Sequence, residues 1–138
     1  MTKPTTLRTG VDGVLETCLY AINLADTAGF YETVLGLDMI SRVDGRHVFF
    51  RSGDGVFLLF NPERTLAPDG DVPPHGARGP GHVAFAVSSI PDWRARLAAA
   101  GVEVEAEVDW PGGGHSLYMR DPAGNSVELA TRSVWERP

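Results

Sequence analysis

The sequence predicts an α+β fold in which one βαβββ unit occurs twice, the two tandem modules forming a curved mixed sheet around one polar cleft. Three observations carry this reading. The same order of apolar runs, helix boundaries and hairpin turns appears in each half. A proline-rich stretch separates the halves. Each half also sets an ionisable side chain inside an otherwise apolar strand.

Module one spans residues 11–60. The run 14–22 is rich in aliphatic and aromatic residues without Gly or Pro, and reads as a strand. In ADTAGFYETVLG, Asp26 is placed to cap a helix, Phe30 and Val34 form an i, i+4 apolar pair, and Gly36 ends it. Strands over 37–43, 47–51 and 56–60 follow, divided by the turns at Asp44-Gly45 and SGDG. Residues 61–80, with five prolines and three glycines, read as a connector.

Module two spans residues 81–132. A strand over 81–87 leads into a helix opened by SSIPDW, with Pro91 in its first turn, Trp93 and Leu97 as its core pair, and Gly101 after its end. Strands over 102–109, 116–120 and 125–130 complete the repeat. The turn chemistry of Asp, Pro, Gly and Asn accounts for DPAGN. The whole chain, 1–138, reads as a single domain, long enough to bury about two thirds of its unfolded surface.

Composition narrows the function. The net charge is −6, the only lysine is Lys3, and the cations are scattered, which argues against nucleic acid. No run approaches the roughly 20 apolar residues of a membrane span, and MTKPTTLRTG lacks a signal-peptide core, so a cytoplasmic protein is expected. Cys18 is the only cysteine, expected as a small buried hydrophobe.

Strand parity then sorts the polar residues by face. His82 shares a side with Ala84 and Ala86, opposite Val83, Phe85 and Val87. Glu128 lies with Ser126 and Ala130, opposite Val127 and Leu129. Glu16 shares its face with Cys18 and Tyr20. Each of these groups would cost several kcal/mol if buried alone. A shared cation is one way to satisfy them: two carboxylates and an imidazole form a set for divalent Fe, Mn, Zn or Ni with positions left open for substrate or water. Glu16 has a second reading, as a hydrogen-bonded carboxylate that orients ligands or substrate. His47 and His75 read as structural.

The segments LETCLYAINL, GFYETVLGL, GPGHVAFAV and SLYMRDPAGNSVELA, in this order, resemble the vicinal oxygen chelate superfamily of glyoxalase I, bleomycin and fosfomycin resistance proteins and extradiol dioxygenases. The resemblance covers both modules. It implies metal ligands at Glu16, fourteen residues before Phe30, at His82 and at Glu128, with Glu16 standing where the family commonly has His. A glyoxalase-type fourth ligand is disfavoured, since the last strand of module one reads VFLLF. Tyr118, ten residues before Glu128, matches a dioxygenase position that hydrogen-bonds substrate. His115, beside a Gly run, is a candidate general acid or base on a mobile loop.

What the resemblance implies is a metal-dependent enzyme of dioxygenase or lyase type, whose divalent cation chelates neighbouring oxygens of a small-molecule substrate as a Lewis acid, in a homodimer. The alternative it leaves open is a metal-free drug- or metabolite-binding protein with an aromatic groove supplied from among Phe49, Phe50, Phe57, Trp110 and Trp135, most of which read as core by default. A partner that kept the fold and lost the site is also open. So is whether one chain or two supply the three ligands.

Overall fold

The structure is a computed structural model and describes residues 9–68 and 70–136. Most of the polar N-terminal stretch, including Lys3, lies outside the described residues. Module one contains β1 (Glu16–Tyr20), α1 (Leu24–Gly29), β2 (Asp38–Val43), β3 (His47–Ser52) and β4 (Gly55–Phe60), and α2 (Pro62–Thr65) follows it. Module two contains β5 (His82–Ala86), α3 (Ile90–Ala99), β6 (Ala106–Asp109), β7 (His115–Arg120) and β8 (Ser126–Ala130), then a 3₁₀ turn at Arg132–Trp135. Each module closes its own four-stranded mixed sheet, ordered β1-β4-β3-β2 and β5-β8-β7-β6. The first strand of each pairs in parallel with the last, and the other pairs are antiparallel.

Local sequence explains the boundaries. Ser89 caps α3 by accepting from the Asp92 amide at 3.3 Å, and Pro91 sits in the first turn, where its missing N–H costs nothing. Gly36 and Gly101 end the two helical segments with φ of 73° and 72°, a region L-residues avoid. The first helix departs from expectation. It starts at Leu24 with Asn23 at its cap position, so Asp26 lies inside the first turn and is not the cap. It then widens into a π-helical turn at Phe30–Val34, which turns both Phe30 and Tyr31 inward.

The helices cover one face of each sheet. Leu19, Val48, Phe50, Phe57 and Leu59 of module one join Leu97, Leu117, Met119, Val127 and Leu129 of module two in one continuous core. Tyr31, fully buried, is the hinge between them, its ring 4.7 Å from Phe57 and 6.2 Å from Phe85. Its hydroxyl donates to Asp121 Oδ2 at 2.7 Å. Asn125, also buried, accepts from the Gly81 amide at 2.8 Å and donates to the Tyr20 carbonyl at 3.2 Å. The 121–125 segment is thus more than a hairpin turn: it ties β1 to β5 at the module boundary.

Three further expectations are corrected. Cys18 is exposed, because Leu19 takes the core side of β1 and alternation turns the thiol outward. Residues 61–80 contain α2, capped by Asn61, whose side chain accepts from the Glu63 amide at 3.1 Å. The strands expected over 14–22 and 102–109 are shorter, since Val14 and Leu15 are exposed and residues 102–105 have no ladder. No helix among the described residues is long and apolar enough to cross a membrane.

Candidate metal centre

The face of each sheet turned away from its helix carries the candidate residues. In module two the register pairs His82 with Ser126, Ala84 with Glu128, Ser116 with Ala130 and Tyr118 with Glu128, so His82, Ser116, Tyr118 and Glu128 share that face. Ala84 and Ala86 leave room beside them. The opposite residues of the same strands, Val83, Phe85, Val127 and Leu129, pack on the core, as alternation requires.

His82 Nε2 lies 3.3 Å from Glu128 Oε1. Its Nδ1 is 3.1 Å from the Ser126 carbonyl oxygen, which can only accept, so Nδ1 carries a proton. A neutral imidazole in this tautomer would point the lone pair of Nε2 at a carboxylate oxygen, and a protonated one would make an ion pair there. Two acceptors facing each other repel unless a proton or a cation lies between them. An outward Nε2 fixed by an Nδ1–H···O=C bond is also the usual arrangement of a metal-binding imidazole. The donor set thus fits a divalent cation on chemical grounds.

Glu128 is 9% exposed, and its Oε2 accepts from Ser116 Oγ at 2.6 Å. Ser116 Oγ in turn accepts from the indole Nε1 of Trp110 at 2.9 Å. The Tyr118 ring stacks on His82 with centroids 6.4 Å apart. Burial first, then the charge of Glu128, pushes the Tyr118 phenol above its ordinary value, so it stays protonated and available as a donor.

The other two candidates lie elsewhere. Glu16 is exposed at the start of β1, on the open face of the first sheet. Among the described residues no three His, Cys, Asp or Glu side chains gather to hold a metal. One chain therefore brings together His82 and Glu128 and leaves Glu16 apart, instead of assembling one three-donor cleft. His115 is not on a loop but opens β7, and it points away from Tyr118 because odd and even residues of that strand take opposite faces. Its Nδ1 contacts Asp109 Oδ1, its Nε2 lies 3.0 Å from Glu107 Oε1, and Arg94 reaches the same Glu107 oxygen at 2.6 Å. These bonds raise the His115 pKa, Asp109 contributing most, while Arg94 and then His115 hold Glu107 down to about 2. His115 is a surface clamp between β7 and β6, and Glu107 carries the link on to Arg94 of α3.

The first sheet's open face is aromatic. His47 stacks on Phe49 with centroids 4.0 Å apart, and Phe60 meets the rings of Phe49 and His75 edge-on at 5.5 and 4.7 Å. Burial, then Arg46, lowers the His47 pKa. Tyr20 Oη lies 2.6 Å from His75 Nδ1, and burial, then the neighbouring Cys18, pushes the phenol up to about 12, so it stays protonated. Of the aromatics that could supply a groove, Phe50 and Phe57 take the default core position, at 0% and 1% exposure. Ser116, Tyr20 and Phe60 had no distinguishing signal in the sequence beyond strand parity.

Comparison with known proteins identifies the fold and the family. A metallothiol transferase, FosB, of Bacillus licheniformis is 28% identical over 118 residues, covering 83% of this chain and 72% of that protein. A solved structure described as lactoylglutathione lyase from Agrobacterium tumefaciens is 37% identical, with a TM-score of 0.88, covering 94% of this chain and all of that one. A glyoxalase/bleomycin resistance protein/dioxygenase from Nocardioides, 24% identical with a TM-score of 0.73 over 96% of this chain and 91% of that one, shares the fold. The model of the Glyoxalase/Bleomycin resistance protein/Dioxygenase superfamily matches residues 13–129, and the chain belongs to that superfamily.

Proposed function

We propose that the protein is a metal-dependent enzyme acting on a small substrate with neighbouring oxygens, of lyase or dioxygenase type, with His82 and Glu128 as two metal ligands. The observation that carries this reading is the opposed pair His82 Nε2 and Glu128 Oε1, 3.3 Å apart, with Nδ1 already committed to a backbone carbonyl. A bound divalent cation would supply Lewis acidity for a developing oxyanion or enolate. Tyr118, kept protonated beside it, would donate a hydrogen bond to substrate oxygen. The likeness to a structure called lactoylglutathione lyase and to a metallothiol transferase supports a metal-dependent role and favours lyase or transfer chemistry over oxygenation.

Glu16 completes the donor set in this reading when contributed by a second copy of the chain. Its exposure, and that of Val11, Val14 and Leu15 leading into β1, at 95%, 81% and 77%, support an interface there. Protein purified without chelators should contain Fe, Mn, Ni or Zn, or take one up; a protein that does neither sinks the enzyme reading. Light scattering should show a dimer.

The aromatic face of module one favours a second reading, a metal-independent binder of a drug or metabolite. Ligand-induced thermal shifts that survive EDTA and the Glu128→Ala substitution would establish it in place of the first.

A further inference from the structure

We propose that Trp110 and Ser116 form a positioning relay that reserves one oxygen of Glu128 for the protein and presents the other to the cation. The proposal rests on the metal reading above. The direction of the relay follows from the groups themselves. An indole N–H can only donate, so Ser116 Oγ must accept from Trp110 Nε1 at 2.9 Å, and its own proton is free for Glu128 Oε2 at 2.6 Å. The carboxylate cannot then rotate without breaking a charge-assisted bond inside a site where Ser116 is 0% exposed. Oε1, the oxygen left over, is the one that faces His82.

Backbone geometry holds the outer end of the relay. Trp110 opens a tight turn in which its amide donates to the Gly114 carbonyl at 2.8 Å and its carbonyl accepts from Gly113 at 2.9 Å. A Cβ at Gly114 would lie 2.3 Å from Val134 Cγ1 and 2.5 Å from its amide nitrogen, so only glycine lets the turn dock there. The residues on either side, Asp109 and His115, are joined by the clamp that also takes in Glu107 and Arg94. The indole is therefore anchored from both strands while remaining 40% exposed.

Module one supplies the internal control. By register, Leu58 occupies the position of Glu128 and His47 that of Ser116. No carboxylate stands there, and His47 stacks on Phe49 and makes no link of this kind. The relay exists only in the module that has a carboxylate to aim.

The test is calorimetric titration of metal-stripped protein with Zn(II) and Mn(II), for wild type, Ser116→Ala, Ser116→Thr, Trp110→Phe and the Ser116→Ala/Trp110→Phe double variant. Removing an outer partner of a ligand typically weakens metal binding about 10- to 100-fold, and Ser116→Ala should fall in that range. Trp110→Phe should weaken binding less, and the double variant should be no worse than Ser116→Ala alone, because the indole acts through the hydroxyl. Ser116→Thr keeps the hydroxyl and should retain most of the affinity. The Trp110 indole N–H resonance should shift on Zn(II) addition in wild type and not in Ser116→Ala. Additive losses in the double variant, or unchanged affinity in both single variants, would overturn the relay and leave the metal reading standing. Wild type that takes up neither of these ions, nor Fe(II) nor Ni(II) in the same titration, would overturn both. Trp110→Phe, a substitution on an exposed turn, keeps the test decisive if Ser116→Ala does not fold.

Discussion

At the register position where module two carries Glu128, module one carries Leu58; His82 answers to Glu16, Ala86 to Tyr20, and Ala130 to Phe60. The two open faces correspond strand for strand in order and register, yet one is a small polar network and the other a bed of aromatic rings. A buried carboxylate is tolerated only where hydrogen-bond partners meet it. Glu128 has Ser116 and His82 as neighbours, whereas Leu58 sits against Phe49 across the ladder. The two copies share strand order and register, and these polar partners stand only in the second.

That contrast can be broken directly. Leu58→Glu places a carboxylate in module one without the serine and indole that support it in module two. It should destabilise the metal-free protein by about 3–5 kcal/mol in urea unfolding, the usual effect of an uncompensated buried charge. A loss well under 1 kcal/mol would mean that module one already offers a partner. In module two, Glu128→Ala should weaken Zn(II) binding by more than the roughly 100-fold ascribed to outer partners, and His82→Ala should do the same. Metal affinity preserved in either variant would remove that residue from the ligand set.

Smaller effects probe how the modules are joined and clamped. Tyr31→Phe deletes one buried bond to Asp121 across the boundary and should cost about 1.5–3 kcal/mol, read by urea unfolding. His115→Gln tests the surface clamp. Because Asp109 and Glu107 raise the His115 pKa in the folded chain, its contribution is full below the ordinary value of 6.5 and disappears as pH rises through the folded value. The melting-temperature difference between wild type and His115→Gln should be largest near pH 5.5 and shrink at alkaline pH; a pH-independent difference would deny His115 that role.

Much of this was legible in the residues. The repeated βαβββ order was visible in strand and turn patterns, and parity alone assigned His82 and Glu128 to the side away from Val83, Phe85, Val127 and Leu129. Cys18 is a residue type usually buried, yet alternation along β1 turns it outward beside Glu16. His115 looked mobile because glycines precede it, whereas Gly114 is buried against Val134 and its neighbour starts a strand. Asp121 and Asn125 looked sufficient for a turn, and their bonds to Tyr31, Gly81 and Tyr20 join residues 44 to 105 positions apart.

Periodicity, turn chemistry and helix caps act over a few residues, so the sequence by itself determined the two modules, their strands and the face on which each polar group lies. Tertiary structure alone decided which of those groups meet. His82 and Glu128 are neighbours because parallel pairing of β5 with β8 sets Glu128 beside Ala84, two residues along the same face from His82. Glu16 stands apart because β1 belongs to the other sheet. Trp110 reaches Ser116 because an antiparallel pair and a glycine turn fold it back. These are long-range pairings, set by which sheets form and how they pack, and no local pattern encodes them.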